Sequence, residues 1–259
     1  MLRLERDGAV ARLLIDRPHK RNAFEIAMWE ELAALIGRLS NARGLRVLLL
    51  ASADPAIFSA GADLDEFASM MQDQALRRRN YRAMRAALDA LAGFPKPSIA
   101  CIPGPAHGAG LALAAACDLR IAGRAARFAL PPARLGLVYP AADLARILRL
   151  IGTAQTKRLI FTAETIDAEE AFRIGLIDML VPDESLENES KALALRVAAN
   201  SPASLMAMKA EIDRAGVMAI EKDASSAERL FLDIHEGADC REGLAAFRER
   251  RAARFSDQD

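Results

Sequence analysis

The chain has 259 residues, 52% hydrophobic and 27% charged, enough apolar material for one large domain, or a domain with an appendage, around a substantial core. Basic and acidic side chains number 35 each, so no global field draws the molecule to nucleic acid or to an anionic membrane. Cys101, Cys117 and Cys240 lack metal-ligand spacing, and their odd number argues against a secreted disulfide framework, so a reducing cytoplasm is expected and no metal.

Residues 1–10 mix Arg, Glu and Asp with apolar positions and hold no signal-peptide hydrophobic stretch. Residues 2–5 and 10–15 read as strands around Asp7-Gly8, a hairpin dipeptide, and Pro18 ends the second. Residues 24–39 have helical spacing, with Trp29, Leu32, Leu35, Ile36 and Leu39 on the apolar face. The continuous apolar run 47–51 fits a buried parallel strand. Residues 65–79 predict a helix, and 76–91 another whose solvated side carries Arg77, Arg78, Arg79, Arg82 and Arg85.

A further buried strand is expected at 97–102. The apolar run 108–116 is too short to cross a bilayer and reads as a core helix. A strand at 119–122, helices at 141–151 and 157–161, and a last strand at 177–181 complete a repeat of strand, crossover and helix. Beyond Pro182 the pattern is helical, at 186–199, 202–215, 220–235 and 242–250. The chain is therefore divided into a core, 1–195, and a helical region, 196–259. The apolar positions of that region exceed what a small helical unit buries alone, which predicts packing on another subunit.

Two stretches stand out, Phe58-Ser59-Ala60-Gly61-Ala62-Asp63 and Gly104-Pro105-Ala106-His107-Gly108-Ala109-Gly110. Each runs from a buried strand into a helix start, where N–H groups lack intrahelical partners and the peptide dipoles favour negative charge. Two such ends facing one another can hold a single oxyanion. Together with 16–24, 116–122, 135–137 and 241–251, in this order, they resemble the crotonase superfamily, also called the enoyl-CoA hydratase/isomerase family, over nearly the whole chain.

The resemblance implies an α/β fold, a spiral of repeated ββα units, with a C-terminal helical region that builds homotrimers, often paired into hexamers. It implies an acyl-CoA substrate and no cofactor beyond the CoA moiety. The N–H groups of Ala62 and Ala109 become the donors to the thioester oxygen, alanine at 109 replacing the family's usual glycine while keeping the N–H. Asp63 is expected to cap its helix. For CoA, the resemblance points to backbone around Ala60, to Lys20 and Arg21, and to Phe231 and Arg250. Each of these cations reads equally well as a solvated surface charge.

Hydratases of this family use two glutamates, and the corresponding positions here are Ala112 and Pro132. Water addition needs a carboxylate to activate water and a proton source, so efficient hydration is not expected. Near the expected pocket stand Tyr139, Asp143, His107 and Arg134. Tyr139 is either a half-buried aromatic bonded to backbone or a functional hydroxyl. Some decarboxylating members, resembling methylmalonyl-CoA decarboxylase, carry tyrosine there and proline at the position of Pro132. Asp143 reads as a helix cap, with general acid/base catalysis as the rival, and His107 as pointing outward. The readings are thus an enolate-stabilising acyl-CoA enzyme, lyase or isomerase, a malonyl-type decarboxylase using Tyr139, or a non-catalytic acyl-CoA-binding protein.

Overall fold

Asp7-Gly8 closes a hairpin: Gly8 takes φ +54°, and β1 (Leu2–Asp7) runs antiparallel to β2 (Val10–Ile15) with Leu2 opposite Ile15. The computed structural model describes residues 1–70, 73–217, 229, 232–233 and 236–253. Helix α1 (Ile26–Ser40) buries the whole predicted apolar face and leads into β3 (Val47–Ser52). The helix expected at 65–79 is two: α2 (Leu64–Met70) ends, and Asp73 caps α3 (Gln74–Ala92) by accepting from Leu76 N–H at 3.0 Å.

Next come β4 (Ser98–Ile102), β5 (Ala106–His107), α4 (Ala109–Ala116), β6 (Leu119–Gly123), β7 (Arg127–Ala129) and a 3-10 turn at Pro132–Leu135. Helix α5 (Ala141–Thr162) joins the two helices expected there, and Gly152, at φ +72° and ψ 170°, marks the break between them. Then follow β8 (Thr165–Asp167), α6 (Ala168–Arg173), β9 (Met179–Val181), α7 (Leu186–Ala198), α8 (Pro202–Val217) and α9 (Ala238–Arg248). The helix expected at 220–235 falls almost wholly outside the described residues.

The main sheet has the order β1-β2-β3-β4-β6-β9 and is parallel from β2 onward, while β5, β7 and β8 form a second, smaller sheet. Parallel strands covered on both faces need apolar side chains on both, which is why β3 and β4 read as continuous hydrophobic runs. Alternate residues divide between the two sides. Leu13, Ile15, Leu48, Leu50, Ala100 and Ile102 join the core shared with α1, α3 and α4. Leu14, Val47, Leu49 and Ile99 pack with Leu186, Ala194 and Ala198 of α7. Helix α7 thus covers one face of the sheet.

Lys96 shows how a charge is buried usefully. Its ammonium donates to Leu39 O, Ser40 O and Ala42 O at 2.9, 3.0 and 2.9 Å, at and just past the end of α1, where the peptide dipoles favour a cation. Lys96→Met is expected to lower unfolding free energy by about 2 kcal/mol, as one buried and two part-buried bonds to a charged donor are lost, measurable by urea titration. Helix α8 is moored nearby, Lys209 Nζ lying 2.7 Å from Asp118 Oδ2 and 3.2 Å from Lys96 O. Among the described residues no helix is long and apolar enough to cross a membrane.

Candidate active site

The first glycine loop is fastened to the segment after β2. Phe24 N–H donates to Gly61 O at 2.7 Å and Asp63 N–H to Phe24 O at 2.9 Å, a parallel bridge that engages the peptide groups on either side of Ala62 and turns Ala62 N–H away. The second loop is stitched to the first: His107 N–H donates to Ser59 O at 3.0 Å, and the N–H groups of Phe58 and Ser59 to Pro105 O at 3.1 Å. Contact is so close that a Cβ on Gly61 would stand 2.8 Å from His107 O and 3.2 Å from Ala109 N. Ala109 opens α4, so its N–H has no intrahelical acceptor. Among the described residues neither Ala62 N–H nor Ala109 N–H has a hydrogen-bond partner.

Asp63 caps α2, as expected. Its Oδ1 accepts from Asp65 and Glu66 N–H at 3.0 and 3.4 Å, and its Oδ2 pairs with Arg17 at 2.6 Å. Burial pushes its carboxyl up, but the Arg17 bond and the two amides together hold it below the usual range. At the rim of the same loop, Ala60 N–H donates to Arg21 O at 3.0 Å and Lys20 Nζ lies 2.5 Å from Asp65, so Lys20, Arg21 and Ala60 are brought together. No hydrogen bond or ion pair among the described residues ties Arg250, just past α9 at φ +53°, to that rim. Phe231 lies outside the described residues.

Around the expected acid and base the structure corrects the sequence. Ala112 and Pro132 are both buried. Asp143 caps nothing: its carboxylate is 2% exposed, and its Oδ1 receives Arg85 Nη1 at 2.7 Å and Arg146 Nη1 at 2.6 Å. Both arginines also reach Asp89, closing a network of two cations and two carboxylates. Burial nonetheless raises the Asp143 carboxyl above its ordinary value, outweighing the two guanidinium groups. The arginine side of α3 is likewise not simply solvated. Besides Arg85, Arg77 is buried and donates to Met70 O at 2.7 Å and to Glu236 at 2.5 Å, while Arg79 grips Glu30 with two 2.8 Å bonds.

Tyr139 has a buried hydroxyl with no hydrogen-bond partner among the described residues. Burial, then the nearby Asp143 charge, raises that hydroxyl well above its ordinary value, so it stays protonated at neutral pH. His107 does not point outward either: its Nε2 is buried and unpartnered, and burial, reinforced by the Arg21 charge, lowers its ring below the usual histidine range. Arg134 is exposed. Close packing supports the segment leading to Tyr139. Gly136 takes φ +63°, where a Cβ would stand 2.2 Å from Asp239 C, and a Cβ on Gly243 would stand 2.4 Å from Leu135 C. Helix α9 therefore rests directly on the backbone of the 3-10 turn.

Sheet order and paired glycine loops define an α/β enzyme of the crotonase fold. A family profile described as enoyl-CoA hydratase/isomerase matches residues 5–258. Short-chain-enoyl-CoA hydratase of Clostridium acetobutylicum is 32% identical over 249 residues, 96% of this chain and 94% of that protein. The crystal structure of an enoyl-CoA hydratase/isomerase from Pseudoalteromonas atlantica superposes with a TM-score of 0.88 at 28% identity, covering 98% of this chain and 99% of that one. A methylmalonyl-CoA decarboxylase in complex with 2-nitronate-propionyl-CoA does so at 0.86 and 25% identity, covering 99% and 98%. The chain belongs to the enoyl-CoA hydratase/isomerase family.

Proposed function

We propose that the protein binds an acyl-CoA and holds the enolate of its thioester between Ala62 N–H and Ala109 N–H. The observation that carries this reading is the contact of the two loops, with the Gly61 Cβ position 3.2 Å from Ala109 N and both amides unpartnered. Fixed donors aimed where charge develops stabilise the enolate without rearranging at the moment of reaction. Lys20, Arg21, Ala60, Phe231 and Arg250 are the proposed contacts to CoA. Exposed Phe161, Met208 and Ile212, at 76%, 54% and 71%, are apolar surface that packing on another copy would cover, and a homotrimer or homohexamer is the proposed assembly. The three cysteines are unpaired and buried, in keeping with a reducing cytoplasm.

With Ala112 and Pro132 in place of carboxylates and Asp143 clamped by arginines, hydration by the usual route lacks its base. The unpartnered Tyr139 hydroxyl favours a second, narrower reading, decarboxylation of a malonyl-type CoA. There the C–C bond to the departing CO₂ supplies the electron pair of the enolate, so no base is needed, and the neutral phenol returns a proton to the α carbon. Crotonyl-CoA, a 3-enoyl-CoA and methylmalonyl-CoA separate the readings. Methylmalonyl-CoA is expected to turn over fastest, with Tyr139→Phe lowering kcat about 10²-fold. Rapid hydration of crotonyl-CoA would sink the decarboxylase reading; tight binding without turnover of any ester would leave an acyl-CoA-binding protein.

A further inference from the structure

We propose that Asn22 is a positioning residue for Ala62 N–H, an inference that rests on reading that amide as a thioester donor. Asn22 is fully buried and left-handed at φ +56°, a conformation that asparagine tolerates better than most residues. Its partners fix the orientation of the side-chain amide. Oδ1 accepts from Arg17 N–H at 2.8 Å, while Nδ2 donates to Phe58 O at 3.1 Å and to Ser52 Oγ at 2.7 Å. Ser52 Oγ–H is itself directed to Asp54 O at 2.8 Å, so it has only lone pairs to offer Asn22.

From Asn22 the bonds run straight to the donor. Ser59 Oγ–H donates to Asn22 O at 2.8 Å, and the same Oγ accepts Gly61 N–H at 3.2 Å. Arg21 O takes Ala60 N–H, and Phe24 N–H and O take Gly61 O and Asp63 N–H. Every peptide N–H from 58 to 63 is thereby engaged except that of Ala62. A donor left free while its neighbours are tied down is pre-organised, and buried Asn22 holds the start of that stretch, at Phe58 O, with its side chain and the serine that fixes its end with its main-chain carbonyl.

Asn22→Asp keeps the Oδ1 acceptor and the volume but turns an oxygen toward Phe58 O and Ser52 Oγ, which loosens the loop without emptying the site. The readout is the thioester carbonyl stretch of bound butyryl-CoA, 13C-labelled at that carbon, followed by infrared difference spectroscopy beside kcat and KM for the best substrate of the panel. The unaltered protein is expected to shift the stretch to lower frequency. In Asn22→Asp that shift is expected to fall by about half and kcat roughly tenfold, with KM changed less than about threefold. A merely structural asparagine would lower thermal stability and leave the bound stretch where it was, and that result overturns the proposal. No shift in the unaltered protein would instead overturn the oxyanion reading, and the role of Asn22 with it. Should Asn22→Asp not fold, Ser59→Ala, which deletes the link from the Asn22 main-chain carbonyl to Gly61 N–H, decides by the same criterion: a reduced shift supports the chain of bonds from Asn22, an unchanged one refutes it.

Discussion

Ala109→Pro is expected to lower kcat about 10²- to 10³-fold, the loss typical of one missing oxyanion donor. Proline removes the N–H and nothing else that α4 uses. Ala109 is the first residue of that helix, where the ring's fixed φ is already helical and the missing N–H has no intrahelical acceptor to lose. The residue before it, Gly108, has no Cβ to meet the ring. Folding should therefore survive the change. The check is kcat measured beside the thermal unfolding midpoint: a large fall in turnover with a nearly unchanged midpoint is the expected pair. Turnover within about threefold of the original protein would remove Ala109 from the reacting centre, since one such hydrogen bond is worth far more than that.

Gly61→Ala strikes the joint between the two loops. The added Cβ would lie 2.8 Å from His107 O and 3.2 Å from Ala109 N, both main-chain atoms without a flexible side chain to yield, and φ there is +103°. Backbone strain and overlap together are expected to cost about 2 to 4 kcal/mol in unfolding free energy. Whatever protein folds must push Ala109 N away from Ala62, so turnover should fall by at least about tenfold. Gly108→Ala is the control: it also has a positive φ, +53°, but its Cβ would meet no atom within 4 Å. Equal losses in the two variants, by urea titration and by kcat, would show that strain alone matters and that the loops need not touch.

Much of this architecture is legible from local chemistry. Asp7-Gly8, the apolar face of α1 and the run at β3 announce themselves because turn geometry and periodicity act over a few residues. The glycine loops are legible because positive φ at Gly61 and Gly108 is a backbone requirement written in the residue type. Strands β5, β7 and β8 are two or three residues long and leave no period to detect. Roles set by distant partners are also hidden. Asp143 at the start of α5 looks like a cap until Arg85, 58 residues earlier, is found on its carboxylate. Arg77 looks solvated until Glu236, 159 residues later, meets it. His107 and Tyr139 carry polar atoms whose isolation depends on what packs over them, and only Asn22, inside a motif already conspicuous, offered a signal that could have been followed.

The bare-backbone meeting of Gly136 with Asp239 and of Leu135 with Gly243 has a consequence for variation. At those two points main chain meets main chain, so a shift of α9 is passed to the segment leading to Tyr139 as displacement. If Tyr139 acts in turnover as proposed, alterations in α9 that widen this contact are expected to change the rate while leaving its dependence on pH intact.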